Sequence, residues 1–98
     1  MKITNVAMAG TLESSDAQVT IEPSDNGTAV DISSIVLNQY GRRIKAVVLE
    51  TLNTLGVESA KVTVVDKGAL DCTIRARTEC AVYRAAGVTG NIPWGGAK

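Results

Sequence analysis

Leu70-Asp71-Cys72-Thr73-Ile74-Arg75-Ala76-Arg77-Thr78-Glu79-Cys80-Ala81-Val82-Tyr83-Arg84-Ala85-Ala86 supports two readings, and the choice between them sets the fold class. In its first half Leu70, Cys72, Ile74 and Ala76 alternate with polar residues, the period of a half-buried strand. Asp66-Lys67-Gly68, just before it, can close a hairpin with a glycine bulge. Taken whole, the run is long for a strand and rich in Ala and Arg, and a helix would set Leu70, Ile74, Ala81, Val82 and Ala85 on one side. Thr78 interrupts that side. Length and composition favour a helix from about Leu70 to Ala86, with the alternation over 69–76 leaving a strand open there.

Outward from this segment, Val57 to Asp66 reads as a strand, with Val62, Val64 and Val65 beside Lys61 and Thr63. Before it, Leu37, Tyr40, Ile44, Val47, Val48, Leu52 and Leu55 recur at three- and four-residue intervals, which predicts an amphipathic helix over Ser34 to Leu55. Ser33 or Ser34 can cap its start, and Gly56 stands where a left-handed terminating residue belongs. Gly41 inside it costs about 1 kcal/mol relative to alanine, which the remaining pattern outweighs. Arg42, Arg43 and Lys45 form a basic cluster that reads as a solvated face or a contact for an acidic partner. Further back, Val19 and Ile21 alternate with Gln18, Thr20 and Glu22 up to Pro23, and Val30 and Ile32 alternate with Asp31 and Ser33. Asn26-Gly27 between these runs predicts a hairpin with one apolar face. Ile3, Val6 and Met8 suit a short strand or an extended arm. The predicted architecture is α+β, a two-layer sandwich of a small antiparallel sheet covered on one face by two helices.

The chain has 98 residues with 45% apolar content, enough for one small core without metal or disulfide staples. Residues 1–90 are read as a single domain and 91–98 as a tail. Asn91-Ile92-Pro93-Trp94 in that tail is expected to dock on a partner, because the sequence's single tryptophan sits behind glycines and beside a proline. Formal net charge is zero, so no basic field is available for nucleic acid. No apolar run approaches a membrane span and the N-terminus lacks the pattern of a signal peptide, which makes a cytoplasmic location the default expectation. Cys72 and Cys80 are the only cysteines. On one helix their alpha carbons would stand roughly 12 Å apart, too far for a disulfide, so both are expected to be packing thiols. The absence of histidine removes Ser-His and Cys-His nucleophile pairs, histidine metal ligands and the usual general base near neutral pH. An autonomous enzyme built on Cys72 is accordingly disfavoured. No catalytic and no metal-ligating residue is assigned.

Gly10-Thr11-Leu12-Glu13-Ser14-Ser15-Asp16 sets two hydroxyls between acidic residues in a segment too polar to bury. By itself such a stretch is a connection. With Ala9 before it, followed in order by Asp66-Lys67-Gly68-Ala69-Leu70-Asp71-Cys72, Ile74-Arg75-Ala76-Arg77 and Ile92-Pro93-Trp94, it resembles the acyl carrier protein (gamma) subunit of citrate lyase. The resemblance spans nearly the whole chain, and the Lys-Gly-Ala-Leu-Asp-Cys run is its most specific part. It implies that Ser14, the first serine of the loop, carries a phosphoribosyl dephospho-coenzyme A arm through a phosphodiester. It also implies a non-catalytic subunit working with the alpha and beta subunits of citrate lyase, its arm bearing acetyl and citryl thioesters as citrate is split into acetate and oxaloacetate. A holo-carrier synthase would attach the arm. The Asp-Ser-Leu attachment tripeptide of fatty-acid carriers is absent, so their four-helix bundle is not expected. Two rival readings are the carrier subunit of malonate decarboxylase and an interaction module in which Ser14 is an ordinary turn residue or a phosphorylation site.

Overall fold

Val62 and Val64 are fully buried and Asp66 nearly so, because the strand that carries them has a neighbour on each side and helices over one face. In chain order the elements are β1 (Ala7–Gly10), β2 (Ala17–Glu22), β3 (Thr28–Ser34), α1 (Leu37–Thr54), β4 (Ala60–Asp66) and α2 (Asp71–Ala85). The computed structural model describes residues 2–25, 27–34 and 37–87, and the side chains of residues 34 and 37–40 fall outside that description. The expected docking tail, with Trp94, lies outside the described residues, as do the side chains of Leu37 and Tyr40.

The two-layer α+β architecture holds, with one change in the sheet. Its order is β1-β2-β4-β3, and the sheet is mixed: β1 with β2 and β2 with β4 are antiparallel, whereas β3 with β4 is parallel. The predicted hairpin between β2 and β3 is therefore not formed. Its arms lie on either side of β4, with Val64 opposite Val19 on one side and opposite Ile32 on the other. Two causes account for this. The β3-α1-β4 segment is a strand-helix-strand unit, whose crossover helix brings the second strand parallel to the first. And β4 is the more apolar run, so the centre of the sheet buries more of it than an edge would. Ser59, entering β4, seals the split: its hydroxyl donates to the carbonyl oxygens of Ser24 and Gly27 on the β2–β3 connection, the latter at 3.2 Å.

Helix α1 packs over β3, α2 packs over β1 and β2, and the helices contact each other, so the core is one layer between helices and sheet. The sheet contributes Ala17, Val19, Ile21, Val62 and Val64, α1 contributes Ile44, Val47, Val48, Leu52 and Leu55, and α2 contributes Ile74, Ala81, Val82 and Ala85. Each large aliphatic side chain buried this way stabilises the fold by about 1.5–3 kcal/mol. α1 ends as anticipated: Gly56 has φ +69, Val57 N–H donates to Leu52 O at 2.9 Å and Gly56 N–H to Asn53 O at 3.1 Å, which satisfies two terminal carbonyls. Ser33 and Ser34 belong to β3, and the expected capping of α1 by either falls outside the described residues. Arg42, Arg43 and Lys45 are exposed, and Arg43 forms an ion pair with Asp71 at 2.7 Å that ties the start of α2 to α1.

The segment of double reading is a helix. Leu70 is its N-cap and is exposed, contrary to its expected inward position. Thr78 is buried, and its hydroxyl donates to Ile74 O at 2.8 Å, so the interruption of the apolar side is satisfied within the helix. Tyr83 is almost fully buried on the same helix, where burial first and the Glu79 charge second push its phenol pKa up. Cys72 is exposed, Cys80 is partly buried against the core, and both are free thiols.

Candidate functional site: the Thr11–Asp16 loop

β1 and β2 pair antiparallel out to Gly10 opposite Gln18, so residues 11–16 form the turn of that hairpin. Gly10 has φ +93, and a β-carbon there would lie 1.9 Å from Ala17 O. The chain can make this turn only with glycine at its entrance. At its exit Asp16 organises the polar groups. Its Oδ2 accepts from Thr11 Oγ1 at 2.6 Å and Thr11 N–H at 3.2 Å, and its Oδ1 accepts from Ala17 N–H at 2.7 Å. Arg77 on α2 grips both oxygens, Nε to Oδ1 at 3.0 Å and Nη2 to Oδ2 at 3.1 Å. Thr11 Oγ1 in turn accepts Glu13 N–H at 3.2 Å, and Asp16 N–H donates to Glu13 O at 3.1 Å.

The loop is also tied to the specific motif that ends β4. Ser15 N–H donates to Lys67 O at 2.8 Å and Lys67 N–H to Asp16 O at 2.9 Å, extending the β2–β4 ladder by one step. Asp66 turns its buried carboxylate inward, where Oδ1 accepts Ala69 N–H at 2.9 Å and shapes the turn into α2. Two stretches more than 50 residues apart in sequence thus form one structure. The sequence singled out both stretches and gave no sign that they touch. It also missed the roles of Thr11, Asp16 and Arg77, since a charge pair spaced by 61 residues leaves no periodic signal.

Within this frame Ser14 is exposed, and its hydroxyl makes no hydrogen bond among the described residues. Ser15 is exposed too, but has φ +66 and is tied to the sheet by its N–H. The loop's donors and acceptors are turned inward on Asp16, which leaves the Ser14 oxygen open to an incoming electrophile. An exposed, unpaired hydroxyl at a braced turn fits covalent attachment of a bulky group. A depression of about 240 Å³ lined by Arg43, Ile44, Asp66, Gly68, Ala69, Leu70 and Asp71 lies at the β4–α2 turn. A larger one of about 530 Å³, lined in part by Lys2, Pro23, Glu58 and Ser59, lies at the far end of β2. Neither is lined by a residue of the loop. Among the described residues no group of three His, Cys, Asp or Glu could hold a metal ion, and no helix is long and apolar enough to cross a membrane.

The Asp16 carboxyl is held well below the usual carboxylate range, by the Thr11 hydroxyl first, then by Arg77 and by the Ala17 N–H. A carboxyl depressed in the folded state stabilises it fully above the unfolded value of about 3.9, and that contribution is lost as pH falls through the folded value. Asp16→Asn is therefore expected to show a stability deficit against the parent chain that is constant above about pH 5 and shrinks steadily below about pH 4. Denaturant unfolding at a series of pH values measures it, and a deficit that does not change with pH would refute the role given to this carboxylate.

The family model of the malonate decarboxylase delta subunit, an acyl carrier family, matches residues 4–85. The citrate lyase acyl carrier protein of Streptococcus uberis is 54% identical over 88 residues, covering 90% of this chain and 87% of that one. That of Fusobacterium nucleatum is 56% identical over 87 residues, covering 88% and 93%. The chain belongs to the citrate lyase acyl carrier protein family. Among solved structures, a chain of a Pseudomonas malonate decarboxylase hetero-tetramer, crystallised with malonate, superposes with TM-score 0.70 over 83% of this chain and 84% of that one, at 21% identity. The citrate lyase acyl carrier family thus shares its fold with a protein of malonate decarboxylase, and within that fold this chain stands much nearer in sequence to the citrate lyase carriers. As a member of that family it is a carrier and not a catalytic subunit.

Proposed function

We propose that this carrier bears a phosphoribosyl dephospho-coenzyme A arm on Ser14 and serves citrate lyase together with its alpha and beta subunits. The observation that carries the reading is the open Ser14 hydroxyl at a turn braced on both sides, in a chain 54% identical to a citrate lyase carrier over 90% of its length. When bound, the arm would supply a thiol that holds acetyl and citryl groups as thioesters, a thiol near pKa 8.5 being a far better leaving group than an alcohol. The chain's own part is to fix one end of that tether. Ser14 Oγ supplies the attachment oxygen, Asp16, Thr11 and Arg77 hold the turn, and the domain keeps the arm within reach of successive active sites at an effective concentration on the order of millimolar. The larger unit in this reading is residues 1–90, with 91–98 a tail that docks on a partner subunit.

The malonate decarboxylase carrier is the alternative, supported by the shared fold. Intact-mass and peptide-mapping measurements on protein purified from its native host decide between the readings. A dephospho-coenzyme A derivative on Ser14, isolated with acetyl on its thiol, is expected. A malonyl thioester supports the rival, and a single phosphate or a bare serine in a working complex overturns the carrier site.

The cysteines give a separate check. Cys80→Ala is expected to cost about 1 kcal/mol for a small partly buried side chain, and Cys72→Ala within about 0.5 kcal/mol. The doubly substituted carrier, once loaded, should accept an acetyl group at the parent's rate. Failure to do so would place the working sulfur on the protein.

A further inference from the structure

Arg77 covers the attachment loop at both ends. Its guanidinium holds the Asp16 carboxylate at the exit with two hydrogen bonds, and its Cδ lies 3.1 Å from where a β-carbon on Gly10 would stand at the entrance. Among the described residues no other side chain of α2 is hydrogen-bonded to a side chain of the 11–16 loop. The Asp16 side chain is 14% exposed and the Arg77 side chain 40%, so the pair is part-buried at the edge of the domain, outside the apolar core. Its effect is local: it selects one arrangement of a turn that already spends a left-handed residue at Ser15.

Other features of the molecule point less far. The depression at the far end of β2 has no feature that specifies an occupant. Arg75 pairs with Glu50 at 3.3 Å between the two helices, and Arg84 donates to Met8 O at 2.7 Å; neither reaches the loop.

We propose that Arg77 is a positioning residue for the loading of Ser14, holding the loop through Asp16 so that the Ser14 oxygen is presented to the modifying transferase. The inference rests on the assignment of Ser14 as the attachment point. In the loading step the Ser14 Oγ–phosphorus bond forms and the bond from that phosphorus to the leaving phosphate of a phosphoanhydride donor breaks. The hydroxyl proton passes to a base of the transferase, because no loop side chain accepts a hydrogen bond from it. In-line displacement is sensitive to placement of the nucleophile, and a shift of about 1 Å can cost on the order of a hundredfold in rate. Arg77 touches no reacting atom in this scheme and acts through Asp16.

The test uses the full chain, the transferase and the donor, with loading followed by intact mass. Arg77→Ala is expected to lower kcat/KM for loading by about 10- to 100-fold. Its thermal midpoint should stay within a few degrees of the parent's, while amide hydrogen exchange at Thr11 and Ser15 becomes faster. Arg77→Lys, which keeps the charge and loses the fork, should recover part of the rate. Arg75→Ala should load like the parent, because its ion pair lies elsewhere. Should Arg77→Ala fail to fold, Thr11→Val removes another donor to Asp16 without touching α2, and several-fold slower loading is expected of it. The proposal is overturned if Arg77→Ala, or Thr11→Val in its stead, loads within twofold of the parent, or if Arg75→Ala slows loading as much. A parent chain loaded on a residue other than Ser14 overturns the attachment site and this proposal together, whereas normal loading of the variants at Ser14 overturns this proposal alone.

Discussion

Ser14→Ala is expected to leave the unfolding transition within about 0.5 kcal/mol of the parent and to abolish loading altogether. The first half follows from the structure: the side chain is exposed, and its hydroxyl holds no partner among the described residues, so its removal leaves nothing unsatisfied. The second half follows from chemistry, since an alanine has no oxygen from which to form a phosphodiester. The neighbouring substitution makes the comparison sharp. Ser15→Ala retains the N–H that donates to Lys67 O and retains the φ +66 conformation at a similar cost, so the loop should keep its shape and loading should persist. Intact mass after incubation with transferase and donor reads both variants. Modification of Ser14→Ala at Ser15, or loss of loading in Ser15→Ala alone, would transfer the assignment to Ser15.

The sheet explains why the fold was legible in some places and hidden in others. Strands β2, β3 and β4 and helices α1 and α2 announce themselves because each buries one face, and burial imposes a period on the residues. Strand order imposes no period. Asn26-Gly27 carries a strong local preference for a hairpin, but a local preference cannot register that β4, arriving some thirty residues later, fits between the arms. Five residues join Glu22 to Thr28, enough to span the width of an inserted strand at about 4.8 Å per strand spacing.

Helix α2 shows a different limit. Its alternating first half looks like a strand because Cys72 and Ala76 stand among small and apolar residues, yet both are exposed, and the buried set is Ile74, Thr78, Ala81, Val82 and Ala85 with Glu79 and Tyr83 beside them. Counting Thr78 as a break hid the continuity of that face, because a threonine in a helix can satisfy its hydroxyl on the carbonyl one turn back. Leu70 was misplaced for the opposite reason: as the N-cap it has left the helical spiral, and position along the period no longer predicts its direction.

In the Thr11–Asp16 loop the serines were legible through resemblance, and the brace around them was not. Thr11 and Asp16 are neighbours in the loop, but the grip on both carboxylate oxygens comes from Arg77 across the fold. Lys67 reaches the loop through its main chain, which no side-chain pattern could disclose. The local sequence therefore specifies a polar turn, and only the tertiary structure braces it through Arg77 and Lys67. This also accounts for the high specificity of the run around Lys67. Asp66 sets the turn by accepting Ala69 N–H, Lys67 continues the ladder to Ser15, and Asp71 meets Arg43, so successive residues there have separate tasks.

Gly10→Ala should produce the largest loss of stability among single-methyl additions in this loop. Two independent costs combine. With φ +93, a non-glycine residue takes a conformation worth about 1–3 kcal/mol of strain. The added β-carbon also falls 1.9 Å from Ala17 O and 3.0 Å from Ala17 C, main-chain atoms of β2 that cannot swing aside as a side-chain tip would. Relieving that overlap requires the hairpin to spread at its closed end, and forced repacking of this kind typically costs a further 1–3 kcal/mol or so, about 2–6 kcal/mol in all. For a domain of this size the thermal midpoint should fall on the order of 10 °C or more. Because Ala17 N–H donates to Asp16 and the Gly10–Gln18 pair is the last of the ladder, the displacement is delivered to the Thr11–Asp16 loop, and the loading proposed for Ser14 should fall with stability even at temperatures where the variant remains folded. Gly27→Ala provides the contrast: its φ is +82, but an added β-carbon has no atom within 4 Å, so it should incur the conformational cost without the collision. Thermal unfolding of the two variants separates the terms, and a Gly10→Ala midpoint no lower than that of Gly27→Ala would show that the β1–β2 turn opens without resistance.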